Sequence, residues 1–159
     1  MTRKTNAAIA GTAFLTYIAA GIGSMVLYRQ VSSGEGVIAR IASIGRHSNT
    51  VGVIELLYLV ECFSALTLAV TLFAITRDED RDLALMGAVC RVLEGVFVAL
   101  AIPDLSSSRW LATRTGADAP DPRALQALGT YLLHGDLAFT ATFFAVGSLL
   151  SPRSCCAGG

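Results

Sequence analysis

The sequence predicts an all-α membrane protein, a polytopic helical bundle of about four transmembrane helices with a short amphipathic interfacial helix between the first two. Three observations predict it. Hydrophobic residues make up 53% of the 159 and charged residues only 15%, against roughly 25% charged in ordinary soluble domains. Mean hydropathy is +0.61, too apolar for a chain this small to hide from water at its high surface-to-volume ratio. The apolar residues are also gathered into long runs rather than short alternating ones. In hydrocarbon a helix satisfies its backbone hydrogen bonds within one segment, whereas a β-barrel needs alternating strands of roughly ten residues.

The first span covers about Ala7 to Tyr28. No charge occurs between Lys4 and Arg29, a run of 24 residues, and about 20 apolar residues suffice to cross the hydrocarbon core. A secretory signal peptide with cleavage near Ala19-Ala20-Gly21 is the alternative for this opening; the length of the run and the spans that follow favour a retained helix. The connector from Arg29 to Thr50 places Val37, Ile38, Ile41 and Ile44 on one helical face. Arg40, Ser43 and His47 fall on the other, the pattern of an amphipathic helix at headgroup level. A soluble loop is the alternative there.

The second span runs from about Val51 to Thr76 and carries Glu55 and Glu61. The charged hexad Arg77-Asp78-Glu79-Asp80-Arg81-Asp82 is short enough to join it to the third as a tight antiparallel hairpin. The third span covers about Leu83 to Pro103 and carries Arg91 and Glu94. Its following connector holds Ser106-Ser107-Ser108 and Trp110, the latter a residue type that anchors at membrane interfaces. Asp121 then Pro122 make an N-cap and first helical position for a fourth span, about Ala124 to Leu150, carrying His134 and Asp136. Residues 1–150 read as one membrane domain and 151–159 as an unstructured tail.

Net charge is zero, 12 Lys+Arg against 12 Asp+Glu, with no basic stripe, so nucleic acid is not an expected partner. The expected partners are the lipid bilayer and, through small residues at helical spacing, a second copy or another membrane protein. Ala19 with Gly23, Gly87 with Gly95, and Ala141 with Ala145 have that spacing. Cys62 and Cys90 lie in apolar runs and Cys155-Cys156 at the end, with no disulfide framework or zinc spacing. No Gly-rich phosphate loop, H-E-x-x-H or G-x-S-x-G occurs. The sequence therefore predicts no enzyme, no cofactor and no metal site. Cationic density beside the first span favours a cytoplasmic N-terminus in a multi-pass cell-membrane protein.

Intramembrane ionisable groups form the candidate site. A charge at a span's centre costs about 3 kcal/mol on insertion scales, so it is usually paired or functional. Counting from the inner boundary at the helical rise, Arg91 lies ~14 Å deep, Glu94 ~18 Å, Asp136 ~21 Å, Glu61 ~22 Å and His134 ~24 Å. Arg91 and Glu94, three apart, share a face. Glu61 and Asp136 are candidate partners for Arg91, and His134 a candidate donor to Glu94. Structural glue between helices is the first reading of this cluster; the second is a small transporter or proton- or ion-conducting element, using a relay or a small polar-ligand site at mid-membrane, and the third is an interface with a partner membrane protein. Glu55, nearer the outer boundary, is expected to reach toward the headgroups.

Three stretches resemble a bacterial membrane family, domain-of-unknown-function family 4386. They are Arg3-Lys4-Thr5-Asn6-Ala7-Ala8-Ile9-Ala10-Gly11, the run Leu83 to Glu94 with its intramembrane Arg91-x-x-Glu94, and Phe143-Phe144-Ala145-Val146-Gly147-Ser148-Leu149-Leu150. The resemblance implies membrane helices and no particular activity. Family members continue through about two further spans, whereas this chain leaves the pattern after Leu150, so the resemblance implies a C-terminally shortened form. If hydrocarbon is the chain's solvent, purification without detergent or lipid gives aggregates in size-exclusion chromatography; a monodisperse peak in plain buffer contradicts the membrane assignment.

Overall fold

The computed structural model describes residues 2–114, 119–133, 142 and 145–146. Five helices follow in order: α1 Arg3–Val31, α2 Val37–Arg46, α3 Ser48–Thr76, α4 Arg81–Thr113 and α5 Pro122–Leu133. The described residues contain no strand. Helices α1, α3 and α4 have 29, 29 and 33 residues and are each long and apolar enough to cross a membrane. At ~1.5 Å per residue they exceed the ~30 Å hydrocarbon thickness, so their ends extend past it. Only 22, 33 and 28% of their most apolar windows is covered by protein, which leaves most of that surface for lipid. The fourth expected span begins as α5; its remainder lies outside the described residues.

Several hydroxyls inside these helices are satisfied locally. The hydroxyls of Thr12, Thr16, Thr67, Thr71 and Thr76 each donate to the carbonyl four residues earlier, at 2.7–3.0 Å. Back-bonding of this kind lets a hydroxyl sit in hydrocarbon without an inter-helix partner.

The chain forms two compact units. The first contains the stretch ending at Ala20 together with Leu59–Ala99. Its apolar centre is Ala10, Tyr17, Ala65 and Leu68, all at most 8% exposed. Helices α3 and α4 approach closely here: a Cβ on Gly95 would stand 3.4 Å from the Cys62 carbonyl and 3.5 Å from Ala65 Cβ. The hairpin expected of the charged hexad is present, with α3 ending at Thr76 and α4 starting at Arg81. Asp80 caps α4, its Oδ1 accepting from the Asp82 and Leu83 amides at 3.0 Å. Arg3 at the start of α1 donates to Glu79 in that turn at 2.7 Å.

The second unit contains Gly21–Tyr58 and the stretch beginning at Leu100. Val31, Ile44, Val51, Ile54 and Leu105 form its core. The turn between α1 and α2 uses Gly34 at φ 133° and Gly36 at φ 84°, values open to glycine and strained for side chains. Helix α2 forms as its periodicity predicts, but protein takes much of its apolar face. Ile41 and Ile44 are buried while Ile38 stays exposed, and Ser43, expected on the polar side, is buried as well. Arg40 Nε donates to the Ser32 carbonyl just beyond α1 at 3.1 Å, serving an acceptor that a helix end leaves over. Close packing of α2 depends on two missing side chains. A Cβ on Gly129 of α5 would meet Val37 Cγ1 at 2.6 Å, and one on Gly45 would meet Ala112 Cβ at 2.9 Å.

One boundary differs from the sequence expectation and one agrees with it. Helix α4 does not stop at Pro103 but continues ten residues to Thr113. Proline removes one backbone donor and disfavours the helix interior, yet Leu105, Ser108 and Leu111 beyond it are buried on the same side, and that packing carries the helix on. Asp121 caps α5 as expected, accepting from the Arg123 and Ala124 amides at 2.8 and 2.9 Å.

The expected small-residue pair on α4 is used at one position only. Gly87 has nothing within 4 Å of a built Cβ, whereas Gly95 faces α3. Gly95→Leu is therefore expected to cost about 1–3 kcal/mol by overpacking and Gly87→Leu close to nothing, read as thermal unfolding in detergent; equal effects would contradict the α3–α4 contact.

Candidate polar centre

The first unit places a charged cluster among apolar helices. Arg91 and Glu94 lie one helical turn apart on α4, and α3 supplies Glu61. Arg91 is 2% exposed, Glu94 fully buried and Glu61 6% exposed. Arg91 Nη1 donates to Glu94 Oε2 at 2.7 Å. Tyr17 of α1 donates its hydroxyl to the other oxygen, Glu94 Oε1. Both carboxylate oxygens thus have a donor, one from the same helix and one across the helix interface. Glu61 is within electrostatic reach of the Tyr17 hydroxyl.

The geometry follows from the helix itself. Residues three apart stand on one face, so once Glu94 turns inward Arg91 turns with it, and neither charge meets lipid. A carboxylate accepting a bond on each oxygen is held in a fixed orientation. Removing one partner of a buried pair leaves an uncompensated charge and costs about 3–5 kcal/mol.

Of the five residues the sequence singles out, the structure brings Arg91 and Glu94 into contact and buries Glu61 in the same unit. His134 and Asp136 lie outside the described residues. Among the described residues no group of three or more His, Cys, Asp or Glu could hold a metal ion. Tyr17 is the member that sequence reasoning missed. Counting ~1.5 Å per residue from Ala7 puts it ~15 Å deep, level with Arg91 and Glu94, and a phenol at mid-span needs a hydrogen-bond partner.

Glu55, expected to reach toward the headgroups, has partners on α4. In the second unit Ser106 donates to its Oε1 at 2.7 Å, and Arg109 Nη1 approaches its Oε2 at 3.7 Å. The serine run beyond Pro103 falls on a helix instead of a loop, so it can present hydroxyls to α3.

Long apolar helices, wide uncovered faces and buried charges that are paired define a helical integral membrane protein. The family model described as Domain of unknown function (DUF4386) matches residues 9–154, and the chain belongs to that family. Neither the curated proteins nor the solved structures give a match to it.

Tyr17→Phe removes the inter-helix bond and keeps the ring. A bond to a charged acceptor is worth about 1.5–3 kcal/mol, so the variant is expected to unfold correspondingly earlier in detergent. Wild-type thermal stability in Tyr17→Phe would show that the hydroxyl does not fasten α1 to α4.

Proposed function

We propose that the protein is a non-catalytic structural or accessory component of a bacterial cell membrane, a multi-pass chain with its N-terminus in the cytoplasm. The observation that carries this reading is the closure of the polar centre. Glu94 is fully buried, with a donor on each oxygen, and such a group is suited to holding helices in register. Buried pairs of this kind specify which faces meet, a task lipid-exposed leucines cannot perform because lipid tails are equally apolar. Partners of this chain are the bilayer and other membrane helices that use its uncovered faces.

A proton- or ion-conducting element is the second reading, favoured by one observation. Glu61 supplies a second buried carboxylate in the same unit as the Tyr17–Glu94 bond, and intramembrane carboxylates with neighbouring hydroxyls are the parts from which proton relays are made.

One set of variants separates the two. Under the structural reading, Arg91→Gln lowers folded abundance in membranes strongly, and Glu94→Gln added to it restores part of the loss, because the uncompensated charge is gone. Under the conducting reading, Glu61→Gln or Glu94→Gln leaves the protein folded and abolishes a flux that wild-type proteoliposomes show. Normal folding of Arg91→Gln, together with such a flux, would overturn the structural reading.

A further inference from the structure

The second unit contains a cavity of about 950 Å³ where the start of α3, the end of α4 and α5 come together. That lies within the size range of small-molecule and cofactor sites. Its polar lining includes Ser48, Asn49, Ser107 and Arg109, and its apolar lining leucines such as Leu128. Trp110 also lines it and is 55% exposed.

Two features give this cavity an electrostatic sign and a place in the membrane. Arg109 Nη1 stands 3.7 Å from the Glu55 carboxylate, beyond hydrogen-bond length, and its side chain is 38% exposed. It therefore keeps donors for another acceptor, and a guanidinium fork matches the oxygens of a phosphate. The cavity sits at the terminus of two apolar helices, α3 and α4, the level at which tryptophan and arginine meet headgroups. The lining joins a cation and polar groups to aliphatic side chains, which suits a molecule with an anionic head and a hydrocarbon tail.

We propose that this cavity binds an anionic phospholipid of the surrounding bilayer. The phosphate is held by Arg109 with the hydroxyl and amide groups of Ser48, Asn49 and Ser107. An acyl chain runs along Leu128 and its neighbours on α5.

The chain's sole tryptophan is Trp110, so intrinsic fluorescence reports from the cavity wall. Full-length protein in a neutral detergent is titrated with phosphatidylglycerol, phosphatidylcholine and inorganic phosphate. Phosphatidylglycerol is expected to give a saturable change in emission, phosphatidylcholine no saturable change at equal mole fraction, and phosphate none. Loss of one charge-assisted contact corresponds to about tenfold in affinity, so Arg109→Gln raises the half-saturating phosphatidylglycerol fraction by about that factor. Leu128→Phe narrows the aliphatic side, keeps the arginine and also raises it. A saturable response to phosphate alone overturns the lipid assignment, and an equal response to phosphatidylcholine overturns the anionic one. Unchanged half-saturation in Arg109→Gln overturns the site. If that variant does not fold, unchanged half-saturation in Leu128→Phe does so.

Discussion

A buried carboxylate in hydrocarbon has to be given donors by the protein, and Glu94 is where this chain meets that constraint. Lipid offers Glu94 nothing, and the first turn of help comes from its own helix through Arg91 at 2.7 Å. That contact alone would leave α4 self-sufficient and free to rotate against its neighbours. The second oxygen takes its donor from Tyr17 on α1, which makes the satisfaction of Glu94 conditional on α1 being present in one register. Dispersion between apolar helices is weak in orientation; a carboxylate with two fixed donors is not. The surrounding small residues serve the same end, since Gly95 lets α4 come near the α3 backbone at Cys62 and Ala65.

The second unit is organised by different physics. It includes α2, whose 10 residues are too few to span, and it buries aliphatic side chains as a soluble core does: Val31, Ile44, Val51, Ile54 and Leu105. Helix α2 has enough apolar face for a membrane surface, but Ile41 and Ile44 are covered by protein, and Gly129 and Gly45 allow the contact to close. Polar groups here answer helix ends and each other: Arg40 with the Ser32 carbonyl, Ser106 with Glu55. A cavity flanked by arginine, tryptophan and leucine is what such a region leaves open when its helices do not fill the volume among them.

Helix α4 shows how packing can override a local signal. Pro103 and the serine run after it suggest a stop, and the weak helix preference of those residues supports that suggestion. Burial of Leu105, Ser108 and Leu111 outweighs it. Ser106 gains a carboxylate partner only because the helix continues.

The sequence by itself determined that this is a helical membrane protein, because composition and run length fix the solvent, and the solvent permits few backbone solutions. It also determined features whose cause is local: the α3–α4 hairpin with its charged turn, the Asp121 cap of α5, and the shared face of Arg91 and Glu94. What the tertiary structure decided is which separate helices meet. Tyr17 as the second donor to Glu94, protein cover over Ile41 and Ile44, continuation through Pro103 and the Ser106–Glu55 bond all join residues far apart in the chain or depend on such contacts. Helical periodicity states which side chains share a face; only packing states what that face touches.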